Sequence, residues 1–264
     1  MLECLQGNGH VYGLDVDLIE SAKTKERLEK AGFGPEMFTL INTNFANIDE
    51  VAKAHGPFDF VLADLGVSSM QIDNPERGFS YKADGPLDLR LDSSRGCTAA
   101  QRLAEVDEKE LVGMFVENAD EPYAEEIAAA IKAHQRRGEQ IETTTQLRDI
   151  ITETLDFLPA KEKKDAVKKS CQRCFQALRI DINSEFEVLY AFLEKLPDAL
   201  APGGRAAILT FHSGEDRLVK KAFKECKKAG LFAEISADVI RPSAEECRNN
   251  GRARSTKMRW AIRA

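Results

Sequence analysis

The stretch Phe58-Asp-Phe-Val-Leu-Ala-Asp-Leu-Gly-Val-Ser-Ser69 decides the fold. Phe60, Val61 and Leu62 are strand formers in a near-continuous apolar run, the pattern of a parallel strand covered on both faces, and Gly66 ends it. Asp64 then stands at a strand's carboxyl end. That edge is where open α/β sheets bind ligands, so Asp64 is the first candidate to contact a cofactor or a reacting group. The alternative is a solvated aspartate at a strand end.

Toward the N-terminus, His10-Val-Tyr-Gly-Leu-Asp15 also reads as a strand ending in a carboxylate. Leu18, Ile19, Ala22 and Leu28 then follow a helical spacing that stops at Gly32. Thr39 to Asn44 is a second strand and Ile48 to His55 a short helix, and strand alternating with helix means a parallel α/β sheet. Asp15 occupies the strand tip where Rossmann-like folds place the acid that accepts hydrogen bonds from ribose hydroxyls. Phe45, just past the next strand, can cover an adenine or pack in the core. Gly7-Asn-Gly9 with Gly13 nearly spells a dinucleotide fingerprint. It precedes a strand instead of opening a helix, so its backbone N–H groups cannot face a phosphate in the usual way.

Toward the C-terminus the pattern turns helical from Thr98 to about Ile182, with Leu103, Leu111, Ile127, Ile131, Leu147, Ile150, Ile151 and Leu155 spaced for amphipathic helices and an N-cap region at Thr143 to Thr145. We read this as a helical insertion suited to substrate recognition. It divides the chain into a first core part over 1–97, the insertion over 98–182 and a second core part over 183–264. Asn183 to Leu200 reads as a core helix with Phe186, Leu189, Phe192, Leu193 and Leu196 on its buried stripe. Pro202-Gly-Gly204 reads as a turn, and Arg205 to Phe211 as the next strand. Phe211-His-Ser-Gly-Glu-Asp-Arg217 puts His212, a serine and two acids at the same edge as Asp64. A Ser-His-Asp hydrolase is rejected because triad members converge from separated segments and no Gly-x-Ser-x-Gly elbow exists. His212 is either catalytic or a satisfied structural histidine.

The 264 residues, 43% hydrophobic and 31% charged, fit one large domain or a domain carrying an insertion. A net charge of −7 argues mildly against a general nucleic-acid binder. The distribution matters more, because 161–179 and 241–263 each hold seven basic residues against two acidic ones, a local density that phosphates can meet. For the first segment alone a solvated helix face is the simpler reading, while Arg252, Arg254 and Lys257 suit phosphate contact. No run approaches the roughly 18 apolar residues of a membrane span and no signal core follows the N-terminus, so a soluble, cytoplasmic protein is expected. Six cysteines without a secretory signal read as free thiols. Cys171-Gln-Arg-Cys174 lacks the second pair a zinc site needs, and no metal is expected.

Six words occur in order: Asp64-Leu-Gly-Val-Ser-Ser-Met-Gln71, Arg77-Gly-Phe-Ser80, Asp84-Gly-Pro-Leu-Asp-Leu-Arg90, Phe175-Gln-Ala-Leu-Arg-Ile180, Phe211-His-Ser-Gly-Glu-Asp-Arg217 and Arg252-Ala-Arg-Ser255. Together they resemble the bacterial small-subunit (16S) ribosomal RNA cytosine-N4 methyltransferase family, from about Val11 to the C-terminus. The resemblance implies a Rossmann-like methyltransferase core with an inserted helical domain, S-adenosylmethionine as cofactor, and small-subunit ribosomal RNA or the assembled small subunit as partner, with no membrane. It implies cofactor contacts at Asp15, Phe45, Asp64 and Gln71. Asp64, Ser68, Ser69 and His212 are the catalytic candidates, and Arg77, Arg90, Arg179, Arg252, Arg254 and Lys257 the RNA contacts.

Three departures from the family pattern stand out. Glu121, Glu125 and Glu126 replace basic residues usual in the insertion, and Gly214 replaces a larger apolar residue. The family's first strand and glycine loop, upstream of the position equivalent to Val11, do not appear. A truncated or mis-started version of a longer protein and a core that has lost a wall of its cofactor pocket are both open. Either leads to the expectation of unpaired edges on neighbouring strands. The rival functions are a non-catalytic RNA-binding remnant and, more weakly, a small-molecule methyltransferase.

Overall fold

The computed structural model describes residues 1–264. Through residue 66 the chain forms α1 (Leu2–Leu5), β1 (Val11–Leu14), α2 (Leu18–Lys30), β2 (Phe38–Ile41), α3 (Ile48–His55) and β3 (Phe58–Asp64). Helices α4 (Ser69–Asp73), α5 (Ala99–Glu105), α6 (Glu108–Ala119), α7 (Ala124–Arg136), α8 (Thr144–Thr154) and α9 (Ala160–Ile182) follow. The remainder is α10 (Glu185–Ala199), β4 (Leu200–Thr210), α11 (Ser213–Lys228), β5 (Phe232–Ile235), α12 (Ala244–Asn249) and β6 (Lys257–Arg263). The chain divides into two compact units, one of Met1–Gly66 with Phe186–Ala264 and one of Val67–Glu185.

The first unit is a Rossmann-like α/β layer in which two sets of strands are hydrogen-bonded separately. β1 pairs with β2 in parallel. β3 and β4 also run parallel, and β6 lies antiparallel between β4 and β5, giving the order β3-β4-β6-β5. No ladder joins β1 to β3. The near contact between the two sets is made by side chains, with the Tyr12 ring 5.8 Å from that of Phe58 and stacked on His55 at 4.4 Å.

This arrangement corrects the reading of β3 as covered on both faces. Val61 and Ala63 pack on the core, whereas Phe60 and Leu62, on the opposite face by the two-residue period of a strand, are 47% and 48% exposed. On the covered side, Leu189, Phe192, Leu193 and Leu196 of α10, at helical spacing, share one buried cluster with Ala206 and Ile208 of β4, Val219 and Phe223 of α11, and Ala261 of β6. Burying a side chain such as Phe192 contributes about 1.5–3 kcal/mol.

Pro202-Gly-Gly204 does not separate α10 from a strand beginning at Arg205. β4 starts at Leu200 and carries those residues as an irregularity, pairing Leu200 with Phe58 and then Arg205 with Phe60. The extra residues bulge out because Phe58 and Phe60 leave only one position opposite them.

The second unit is helical around one apolar core that joins α5 through α9. Three of its helices begin with reciprocal capping boxes, Ser68 with Gln71, Thr98 with Gln101 and Thr143 with Gln146, the last where the sequence placed an N-cap. Residues 67–97 belong to this unit, about thirty residues earlier than the boundary read from helical periodicity. The reason is packing: Leu87 and Leu89 are each 1% exposed inside the helical core. Gly78 and Gly85 make this turn possible. A Cβ at Gly78 would lie 2.3 Å from the Pro86 carbonyl oxygen, and one at Gly85 would lie 2.1 Å from that of Pro75. Cys171 and Cys174 are buried in the same core, and burial pushes the Cys171 thiol up to about 12, so both pack as small apolar groups. No helix of the chain is long and apolar enough to cross a membrane.

Candidate active site

In the α/β unit, two carboxylates stand at strand ends. Asp15 follows β1 and is exposed, and its Oδ1 accepts the Asp17 N–H at 2.8 Å. Partial burial of the carboxyl holds its pKa above the ordinary range against that hydrogen bond. Asp17, almost fully buried, caps α2 by accepting the N–H groups of Ile19 and Glu20, which fixes the turn that presents Asp15. Phe45 lies just past β2, half-buried, with its ring edge-on to Phe192 at 5.2 Å. It is therefore braced by the core while part of it stays open.

Asp64 ends β3, in register with Leu209 of β4, and the chain leaves the sheet through a Leu65 N–H donated to the Leu209 carbonyl. The residue is exposed, yet its carboxyl is sufficiently crowded that desolvation, followed by repulsion from Glu215, raises its pKa. Glu215 is buried. Its Oε2 accepts the Phe211 N–H at 2.8 Å, and its Oε1 lies 3.2 Å from His212 Nε2 but off the line a hydrogen bond needs.

His212 is the N-cap of α11. Its Nδ1 accepts the Glu215 N–H at 3.5 Å, in a capping box completed by Glu215 reaching back. Both ring nitrogens thus face Glu215, which gives His212 a structural part and brings Asp64, His212 and Glu215 together at the ends of β3 and β4. Gly214 has its explanation here: a Cβ at that position would lie 2.7 Å from the Phe186 ring. The spacing of three between His212 and Glu215 is the sequence signal of this capping box.

In the helical unit, Ser68 caps α4. Its Oγ accepts the Gln71 N–H at 3.2 Å, and the Gln71 Oε1 accepts the Ser68 N–H at 2.8 Å. Ser69 follows, exposed, as the first residue of the helix. Gln71 is buried, so the capping box accounts for at least part of its amide.

Most of the basic residues are engaged within the chain. Arg77 is buried and donates to the Arg90 and Leu91 carbonyls. Arg90 grips Asp88 with two hydrogen bonds of 2.7 and 2.8 Å, and Arg179 grips Glu185 at 2.7 and 3.0 Å. Lys257 lies 3.4 Å from Asp216, which also accepts Arg259 at 2.7 Å. Arg77, Arg90, Arg179 and Lys257, all expected to meet RNA, thus each have an internal partner. Arg252 and Arg254 are exposed. Glu121, one of the departures in the insertion, is buried and accepts the Ser170 hydroxyl at 2.8 Å, so its charge is used inside the helical core.

A family model described as the MraW methylase family matches residues 1–264. The chain is 65% identical over 264 residues to "Ribosomal RNA small subunit methyltransferase H 1" of Lachnoclostridium phytofermentans, covering all of this chain and 72% of that relative. It is 67% identical to the protein of the same name from Agathobacter rectalis, covering 76% of it. A more distant relative, "Ribosomal RNA small subunit methyltransferase H" of Synechococcus sp., is 38% identical over 98% of this chain and 83% of its own length.

Proposed function

This chain belongs to the MraW methylase family, and from that premise we propose that it transfers a methyl group from S-adenosylmethionine to the exocyclic N4 of a cytidine in small-subunit ribosomal RNA. The observation that carries the reading is Asp64, a crowded carboxylate at the end of a parallel strand, beside Glu215. When bound, the cofactor supplies a methyl group made electrophilic by its sulfonium. The protein's own part is positioning and charge.

The amine of cytosine is a poor nucleophile because its lone pair is delocalised into the ring. A carboxylate that accepts an N4–H holds that lone pair on nitrogen, and a raised pKa suits Asp64 to take the proton released after transfer. Ser68 and Ser69 are further catalytic candidates. Asp15 fits ribose hydroxyls, Phe45 an adenine face and Gln71 a further cofactor contact. Arg77, Arg90, Arg179, Arg252, Arg254 and Lys257 are assigned to the RNA. The target base must be presented unstacked, which loop RNA does at low cost. A cytoplasmic location follows from such a substrate. Matching across the whole chain at 65% and 67% identity to two curated methyltransferases speaks against a non-catalytic remnant.

Calorimetry with S-adenosylmethionine tests the reading. Binding at micromolar concentration, with a methyl group subsequently found on a cytidine N4 of small subunits, is the expected result. No binding up to millimolar concentration would overturn it.

A further inference from the structure

Beyond the strand-end carboxylates, the helical unit carries a surface that the reaction does not account for. Lys161, Lys164 and Lys168 are exposed on α9 and hold no carboxylate at contact distance, although Lys168 also feels the charge of Asp165, whereas Lys169 pairs with Asp165 at 2.7 Å and Lys163 pairs back to Asp156. Spacings of three and four place the unpaired lysines on one stripe, about 10 Å long by helical rise.

A stripe of solvated lysines alone would be an ordinary helix face. Phe157, in the turn that leads into α9, changes that reading. Its ring is 62% exposed, the most open of the large apolar side chains, and it is held edge-on by Tyr123 with centroids 6.1 Å apart. The Lys163–Asp156 pair fastens the same turn to the first turn of α9. A fixed, open aromatic ring next to a line of free cations is the combination that binds single-stranded nucleic acid, bases on the ring and phosphates along the charges. Unpaired RNA bases have faces free to stack, and a duplex does not.

We propose that the turn between α8 and α9 is a docking platform for single-stranded RNA, in which Phe157 stacks an unpaired base and Lys161, Lys164 and Lys168 hold the phosphates beside it. This rests on the RNA-directed reading of the enzyme, and it adds a contact surface to it.

The test is fluorescence anisotropy of the full chain with a labelled single-stranded RNA oligonucleotide of small-subunit sequence, across a salt series. Phe157→Ala is expected to weaken binding roughly 5- to 150-fold while leaving the salt dependence unchanged. Replacing Lys161, Lys164 and Lys168 together with alanine is expected to flatten the slope of log affinity against log salt by about two. A matched duplex should bind with no sensitivity to Phe157→Ala. Circular dichroism of each variant confirms folding, since all four side chains are exposed. Unchanged affinity in both variants, or equal Phe157 dependence for the duplex, overturns the platform. Methylation of small subunits by the same variants separates the two readings. Methylation retained with oligonucleotide binding unaffected sinks only the platform, and its absence from the wild-type protein sinks the proposed function.

Discussion

The helical unit and the α/β unit complete themselves to different degrees. In the helical unit Leu103, Leu111, Phe115, Ile127, Ile131, Leu147, Ile151 and Leu155 are all fully buried. In the α/β unit every residue of β1 and β2 is only partly buried, and β3 leaves Phe60 and Leu62 about half exposed. The physical difference lies in where backbone hydrogen bonds are made. A helix satisfies its own N–H and C=O groups, so packing its apolar stripe finishes the work. A strand needs a neighbour on each side, and β1 and β3 are not neighbours by hydrogen bonding. Tight burial therefore marks the helices and the strands with a neighbour on each side, such as β4 and β6, where Ala206, Ile208 and Ala261 are fully buried.

The comparison is broken most strongly by opening the closed core. Phe115→Ala should cost about 3–5 kcal/mol in urea unfolding, because it leaves a cavity among fully buried neighbours. A loss under about 1 kcal/mol would mean the helical core is loosely packed. Removing one capping side chain, Thr143→Ala, should cost about 1 kcal/mol, and no change would deny the capping box its part in starting α8. Leu62→Ser in the open face should stay within about 0.5 kcal/mol of wild type and reduce self-association measured by sedimentation. A large loss there would show that the face is covered after all.

Asp64 gives the comparison a pH dependence. Its folded-state pKa is raised, chiefly by desolvation, so the protonated form is favoured by folding. Its contribution is fully present below the ordinary aspartate value of 3.8 and is lost as pH rises through the folded-state value. Asp64→Asn should therefore unfold at higher temperature than wild type at neutral pH, with the advantage shrinking as the solution is acidified below that range. An advantage that instead grows on acidification would contradict the environment described for this carboxylate.

Much of the frame was legible because it rests on local pattern. The stripe on α10, the strand tips at Asp15 and Asp64 and the helical character of the insertion all follow from periodicity, and Thr143 from its cap signature. What escaped depended on neighbours distant in sequence. Leu87 and Leu89 carry no helical period, so their place in the helical core was invisible. Pro202-Gly-Gly204 has turn chemistry, and only pairing with β3 makes it part of a strand. Counting charge identified two basic segments but not their partners: Glu185 takes up Arg179 and Asp216 takes up Lys257. The open face of β3 likewise required knowing that no ladder joins it to β1.

The central claim is that a strand-end carboxylate prepares the acceptor nitrogen, and it is tested most directly by single-turnover methylation of small subunits with Asp64→Asn. At saturating cofactor we expect an unchanged circular dichroism spectrum and a methylation rate reduced about 10²–10⁴-fold. Transfer to cytidine N4 at the wild-type rate in that variant would contradict the account.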